Sequence, residues 1–182
     1  LSQVVESCPK LWNVQGLNLY REGDHAAAID LYRHAVHYAP EDSILLNNLG
    51  AALRETGELD EAVDVLRQAI ALDSAQARPH YHLGETLRRQ GKTEEAAEEL
   101  RTSIELDPDQ LDAWTALAEV LAGLDRTAEA EEAERRVEAL RESSEMDDGE
   151  NTEPSWAPEW SAGRSPVCAG VEWRRHGLGS YR

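Results

Sequence analysis

The sequence predicts an all-α solenoid of four helix hairpins followed by a tail that lacks a core. Three observations predict it. A pattern of small and apolar residues recurs at a spacing of 34 residues. Each recurrence divides into two stretches whose apolar residues fall at three- and four-residue steps, the spacing of one face of a helix. After residue 143 this periodicity stops. Aligned on their glycines, the units are 9–42, 43–76, 77–110 and 111–144, preceded by a lead-in over 1–8.

The first unit carries Trp12, Gly16, Gly23, Ala28, Tyr32, Ala35 and Pro40. The second carries Leu49, Gly50, Leu53, Gly57, Ala62, Leu66 and Ala69, and the third Leu83, Gly84, Leu87, Gly91, Ala96, Leu100 and Pro108. Gly23, Gly57 and Gly91 each close one helical stretch and precede a polar residue able to open the next. Pro40 and Pro108 stop the second helix of their units. Gly16, Gly50, Gly84 and Ala118 mark the close approach of the two helices, with Ala28, Ala62, Ala96 and Ala130 expected to face them.

The fourth unit departs from the pattern. Asp125 replaces the turn glycine, and Glu134 stands where Tyr32, Leu66 and Leu100 stand, at a position read as packing between repeats. The charged run Glu129, Glu131, Glu132, Glu134, Arg135 and Arg136 then makes 127–141 the solvated end of the array.

This combination of an aromatic, leucine–glycine, a tyrosine or leucine, and later alanine, an aromatic, alanine and proline resembles the tetratricopeptide repeat (TPR) family. The resemblance implies a right-handed superhelix that binds protein segments, with the first helix of each unit lining its concave face. The groove residues it implies are Lys10, Asn13, Leu17, Tyr20 and Arg21 from the first unit, Asn47, Asn48 and Arg54 from the second, and Arg78, Tyr81, His82, Arg88 and Arg89 from the third. Six cations, Lys10, Arg21, Arg54, Arg78, Arg88 and Arg89, there face four anions, Glu55, Glu85, Asp112 and Glu119.

A locally positive groove in a strongly negative chain points to a partner segment carrying Asp, Glu or a free C-terminus, because the arginine fork grips carboxylate in two places. The competing reading is that these arginines pair with neighbouring glutamates, Glu85 with Arg88 or Arg89. Some family members hold chaperone tails in a carboxylate clamp. Asn48 and Arg78 match that clamp, whereas Asn13, Leu17 and His82 do not, so a chaperone clamp is not expected. The asparagines of 46–50 also look like the TPR arms of glycosyltransferases, which makes a recruiting arm of a larger enzyme the second reading.

The net charge of −18, with only Lys10 and Lys92 as lysines, excludes a general nucleic-acid binder. No stretch approaches the roughly 20 apolar residues that cross a bilayer. Cys8 and Cys168, at opposite ends, argue against a disulfide framework and for a reducing, cytoplasmic setting, with Cys8 inert. The start at Leu1 is compatible with a piece of something longer.

The segment 143–182 reads as an acidic, mostly disordered tail bearing Trp156, Trp160 and Trp173. A third reading has that tail fold into the groove of its own or a neighbouring molecule, giving regulation or self-association. No phosphate-cradling loop, paired cysteine motif or nucleophile elbow is present, so no enzyme, metal or cofactor is expected. His34 and His37, three apart, read as part of a solvated convex face rather than as ligands.

Overall fold

A computed structural model describes residues 8–147, in which eight helices run antiparallel in pairs. The first hairpin is α1 (Pro9–Glu22) and α2 (His25–Tyr38), the second α3 (Ser43–Thr56) and α4 (Leu59–Leu72). The third is α5 (Ala77–Arg89) and α6 (Thr93–Leu106), the fourth α7 (Leu111–Gly123) and α8 (Thr127–Asp147). No strand occurs among the described residues. The expected disordered character and docking role of the tail concern residues outside them.

The breaks form for local reasons. Asp24 and Asp42 cap α2 and α3, their carboxylates accepting from Ala27 N at 3.1 Å and from Ile44 N and Leu45 N at 3.0 and 3.2 Å. Gly57 ends α3 in the left-handed region at φ 87°, and in the fourth hairpin Asp125 takes the same kind of conformation at φ 58°. Asp125 is the one non-glycine there among the described residues, so it does the turn glycine's work at a steric cost.

Helix α8 runs past the expected boundary at 143. Ser143 and Ser144 donate to the carbonyls of Leu140 and Arg141, both at 2.8 Å, which lets two weak helix formers sit inside the last turns.

Within each of the first three hairpins the small residue on the first helix receives a large one from the second. A Cβ added to Gly50 would lie 2.5 Å from Leu66 Cγ, and one added to Gly84 2.7 Å from Leu100 Cγ. Gly16 meets the Tyr32 ring in the same way. This corrects one expectation and extends another. The residues at 32, 66 and 100, not Ala28, Ala62 and Ala96, are what the glycines mainly accommodate. The position of Glu134 packs within a hairpin as well as between hairpins, since Tyr32 shares a core cluster with Leu46 and Leu49, and Leu66 with Leu83 and Leu87. In the fourth hairpin Ala118 replaces the glycine and Glu134 turns out to solvent, so the small-and-large pair is absent on both sides.

The hairpins join through further residues as well. Ile29 and Val36 of α2 pack with Leu46, Leu49 and Leu53 of α3, and Val63 and Ile70 of α4 pack with Leu83 and Leu87 of α5. Ala97 and Ile104 of α6 meet Leu117, Val120 and Leu121 of α7. Their counterparts on α8 are the exposed Glu131 and Glu138. The outward face of the last hairpin therefore offers carboxylates where each earlier one offers apolar surface, which is the physical content of an end cap.

Cys8 is not a free thiol, which corrects the expectation of it as an inert one. Cys168 lies outside the described residues. No helix among them is long and apolar enough to cross a membrane.

Candidate peptide groove

The first helices approach one another more closely than the second helices do. Backbones of α1 and α3, α3 and α5, and α5 and α7 come within 8 Å between Cα atoms, whereas no two second helices do so. A stack with this asymmetry curves toward its first helices, which makes their shared surface the concave one. Second helices are instead bridged by long side chains at their outer surface: Arg33 to Glu61 at 3.0 Å, Arg67 to Glu95 at 3.7 Å and Arg101 to Glu129 at 3.0 Å. Sequence reasoning missed this ladder, although Arg33, Arg67 and Arg101 repeat at the same spacing as the glycines. Each exposed pair contributes roughly 0.2–1 kcal/mol.

On the concave side the asparagines form a chain of amides. Asn48 donates to Asn13 Oδ1 across 2.8 Å, tying α3 to α1, and Asn47 donates to Asn48 Oδ1 at 3.3 Å. Asn47 is 6% exposed, and its Oδ1 has no donor among the described residues. Leu17 and Tyr20 are half-buried on α1, with Lys10 and Arg21 exposed at its two ends.

Between α3 and α5 lies a denser network. Arg54, 7% exposed, donates to Glu55 Oε1 at 3.0 and 2.7 Å and to His82 Nδ1 at 3.2 Å. A guanidinium has no acceptor, so His82 Nδ1 accepts, and the neutral ring carries its proton on Nε2. Burial, then the charges of Arg54 and Arg78, push the imidazole down to about 3, which keeps it neutral. Arg89 closes the network by donating to the Arg54 carbonyl at 2.8 Å and to Glu55 Oε2 at 3.0 Å. Burial works to raise the Glu55 carboxyl, but the hydrogen bonds and charges of Arg54 and Arg89 more than offset it and hold it below the usual carboxylate range.

Arg88 points the other way. It grips Glu85 through two bonds of 2.8 and 2.9 Å and reaches Glu119 of α7 at 3.4 Å. Glu85 thus pairs with Arg88, whereas Arg89 is committed to Glu55. The Tyr81 hydroxyl is held above its ordinary value, first by burial and then by Glu85 and Asp112.

Of the groove arginines, 54, 88 and 89 are therefore engaged in ion pairs. Arg21 and Arg78 are exposed and form no ion pair among the described residues. An open depression of about 590 Å³ between Tyr38 and Ile44 lies at the connection of the first two hairpins and is lined by none of these residues. Among the described residues no group of three His, Cys, Asp or Glu side chains is placed to hold a metal ion.

A TPR repeat model matches residues 50–91 and a tetratricopeptide repeat model residues 81–145, together covering most of the second hairpin and all of the third and fourth up to residue 145. The chain belongs to the tetratricopeptide repeat family. The first hairpin lies outside both matches.

Among solved structures, this TPR chain is similar in fold to the crystal structure of MamA, with TM-score 0.70 and 21% identity over 77% of this chain and 82% of that one. MamA from Desulfovibrio magneticus RS-1 is similar at TM-score 0.68 and 23% identity, over 76% and 78% of the two chains. The first TPR of Spaghetti (RPAP3), bound to the HSP90 peptide SRMEEVD, is similar at TM-score 0.62 and 21% identity, over 66% of this chain and 95% of that one. No curated protein matches the sequence. TPR hairpin arrays serve as protein-interaction modules, typically without catalysis.

Proposed function

We propose that this TPR array is an adaptor whose first-helix groove takes an extended or helical partner segment carrying Asp, Glu or a free C-terminus. Arg78 carries the reading. It stands exposed at the start of α5 without an ion pair among the described residues, one turn from His82, whose Nε2–H is a neutral donor. A bound carboxylate would gain two donors there without breaking an existing pair. Asn48, held toward α1 by Asn13, offers amide groups for the backbone of the same segment. The similar TPR domain of Spaghetti is bound to a peptide, SRMEEVD, that contains three acidic residues.

Selection of a random peptide-display library on the full chain should enrich sequences containing Asp and Glu. Arg78→Glu should weaken the enriched peptides by about tenfold, equal to about 1.4 kcal/mol. Enrichment of sequences without acidic residues, bound equally by the variant, would contradict the reading.

A further inference from the structure

We propose that the groove is divided by charge, so that the segment it takes carries acidic residues at one end and a basic residue at the other. This rests on the reading of the groove as a partner-binding surface and goes beyond it in fixing the order of charge along the partner.

The dividing line runs down α5. On the side toward hairpins 1 and 2 stand Arg21, Arg54, Arg78 and Arg89, of which Arg54 and Arg89 pair with Glu55. Geometry places Arg89 on that side, where it reaches across to Arg54 and Glu55 of α3, and the charge of Arg78 acts on the His82 ring that Arg54 holds.

On the side toward hairpin 4 stand Glu85, Asp112 and Glu119 against Arg88, which already bridges Glu85 and Glu119. Asp112 is exposed and makes no ion pair among the described residues. Tyr81, on α5 itself, lies at the dividing line: the charges of Glu85 and Asp112 act on its hydroxyl from one side and that of Arg54 from the other.

A uniformly acidic segment would gain at Arg78 and lose at Asp112, whereas one ending in Lys or Arg gains at both.

The dimensions set a length for the segment. Packed helices stand about 8–10 Å apart, so the first helices of hairpins 2 and 4 are roughly 20 Å apart, a distance spanned by about six residues of extended chain. The expected occupant places its acidic residues over hairpins 1 and 2 and its basic residue about six positions away, over α7.

Two dye-labelled peptides of about ten residues test this against the full chain by fluorescence anisotropy at low salt. One carries two aspartates and two lysines separated by about six alanines and serines, and the other replaces the lysines with aspartates. The first should bind at least about fivefold more tightly, and Asp112→Arg should reverse that order.

Equal or tighter binding of the acidic peptide to the natural chain, with Asp112→Arg changing neither, overturns the division while leaving the partner-binding reading in place. Failure of both peptides to bind, or insensitivity of both to Arg78→Glu, removes that reading and the division with it. Arg78 and Asp112 are exposed, so both variants should keep the helical circular dichroism of the natural chain, which is to be checked before binding is compared.

Discussion

Gly50→Ala lowers the stability of the array by about 1–3 kcal/mol, the usual cost of forcing extra atoms into a packed core. Helix propensity argues the opposite way, since alanine in a helix interior is favoured over glycine by about 1 kcal/mol. Packing wins because the new Cβ would lie 2.5 and 2.7 Å from Leu66 Cγ and Cδ2, and Leu66 is 0% exposed with no room to withdraw.

The cost should shrink when Leu66 is itself shortened. Leu66→Ala alone costs about 2–5 kcal/mol, and the double variant should be less destabilised than the two single losses combined, because the added methyl group occupies part of the space that Leu66 leaves. Urea unfolding followed by circular dichroism measures both. A Gly50→Ala variant as stable as the natural chain would show that the hairpin can open without loss.

The second large effect is a loss of stability in mild acid that originates at His82. In the unfolded chain this imidazole takes up a proton near its ordinary value of 6.5, but in the folded groove not until about 3. Between those values the unfolded state binds more protons, so acid favours unfolding. The stability associated with the neutral ring is complete above pH 6.5 and is lost as the pH falls toward 3.

The slope approaches about 1.4 kcal/mol per pH unit, giving about 2 kcal/mol lost by pH 5. His82→Gln keeps an acceptor for Arg54 and removes the titration, so its stability should stay nearly flat from pH 6.5 to 5. Glu55 adds a separate loss at lower pH. Its folded carboxyl lies below its ordinary 4.5, so its contribution is present above 4.5 and disappears as the pH falls through the folded value. Unfolding curves of the natural chain and His82→Gln at pH 6.5 and 5 that ran in parallel would contradict the assignment to His82.

The hairpins were legible because their signals are local. Gly57 and Asp42 end and begin helices through their own backbone and side-chain chemistry, and the three- and four-residue steps declare which faces are buried. Contacts across the groove were not legible in that way. Whether Arg89 turns to Glu85, four residues back on its own helix, or to Glu55 on the neighbouring one depends on how two helices pack, and no spacing within one helix decides it.

Glu134 shows the same limit. Its equivalence to Tyr32, Leu66 and Leu100 was plain from the alignment, yet the side of the hairpin that this position faces became evident only once Gly16, Gly50 and Gly84 were seen against those side chains. The outer ladder of Arg33, Arg67 and Arg101 could have been found from its period, but only by asking the charged residues the question that was put to the apolar ones.

The central claim is that the concave wall of first helices holds the partner segment. Titrating the isotopically labelled full chain with an acidic peptide recovered by selection, and following the backbone amide resonances, tests it most directly. The account predicts shifts concentrated at Asn48, Arg78 and His82 on the first helices, with Arg33, Arg67 and Arg101 on the second helices unmoved. Shifts concentrated on the second helices, or an unchanged spectrum, would contradict it.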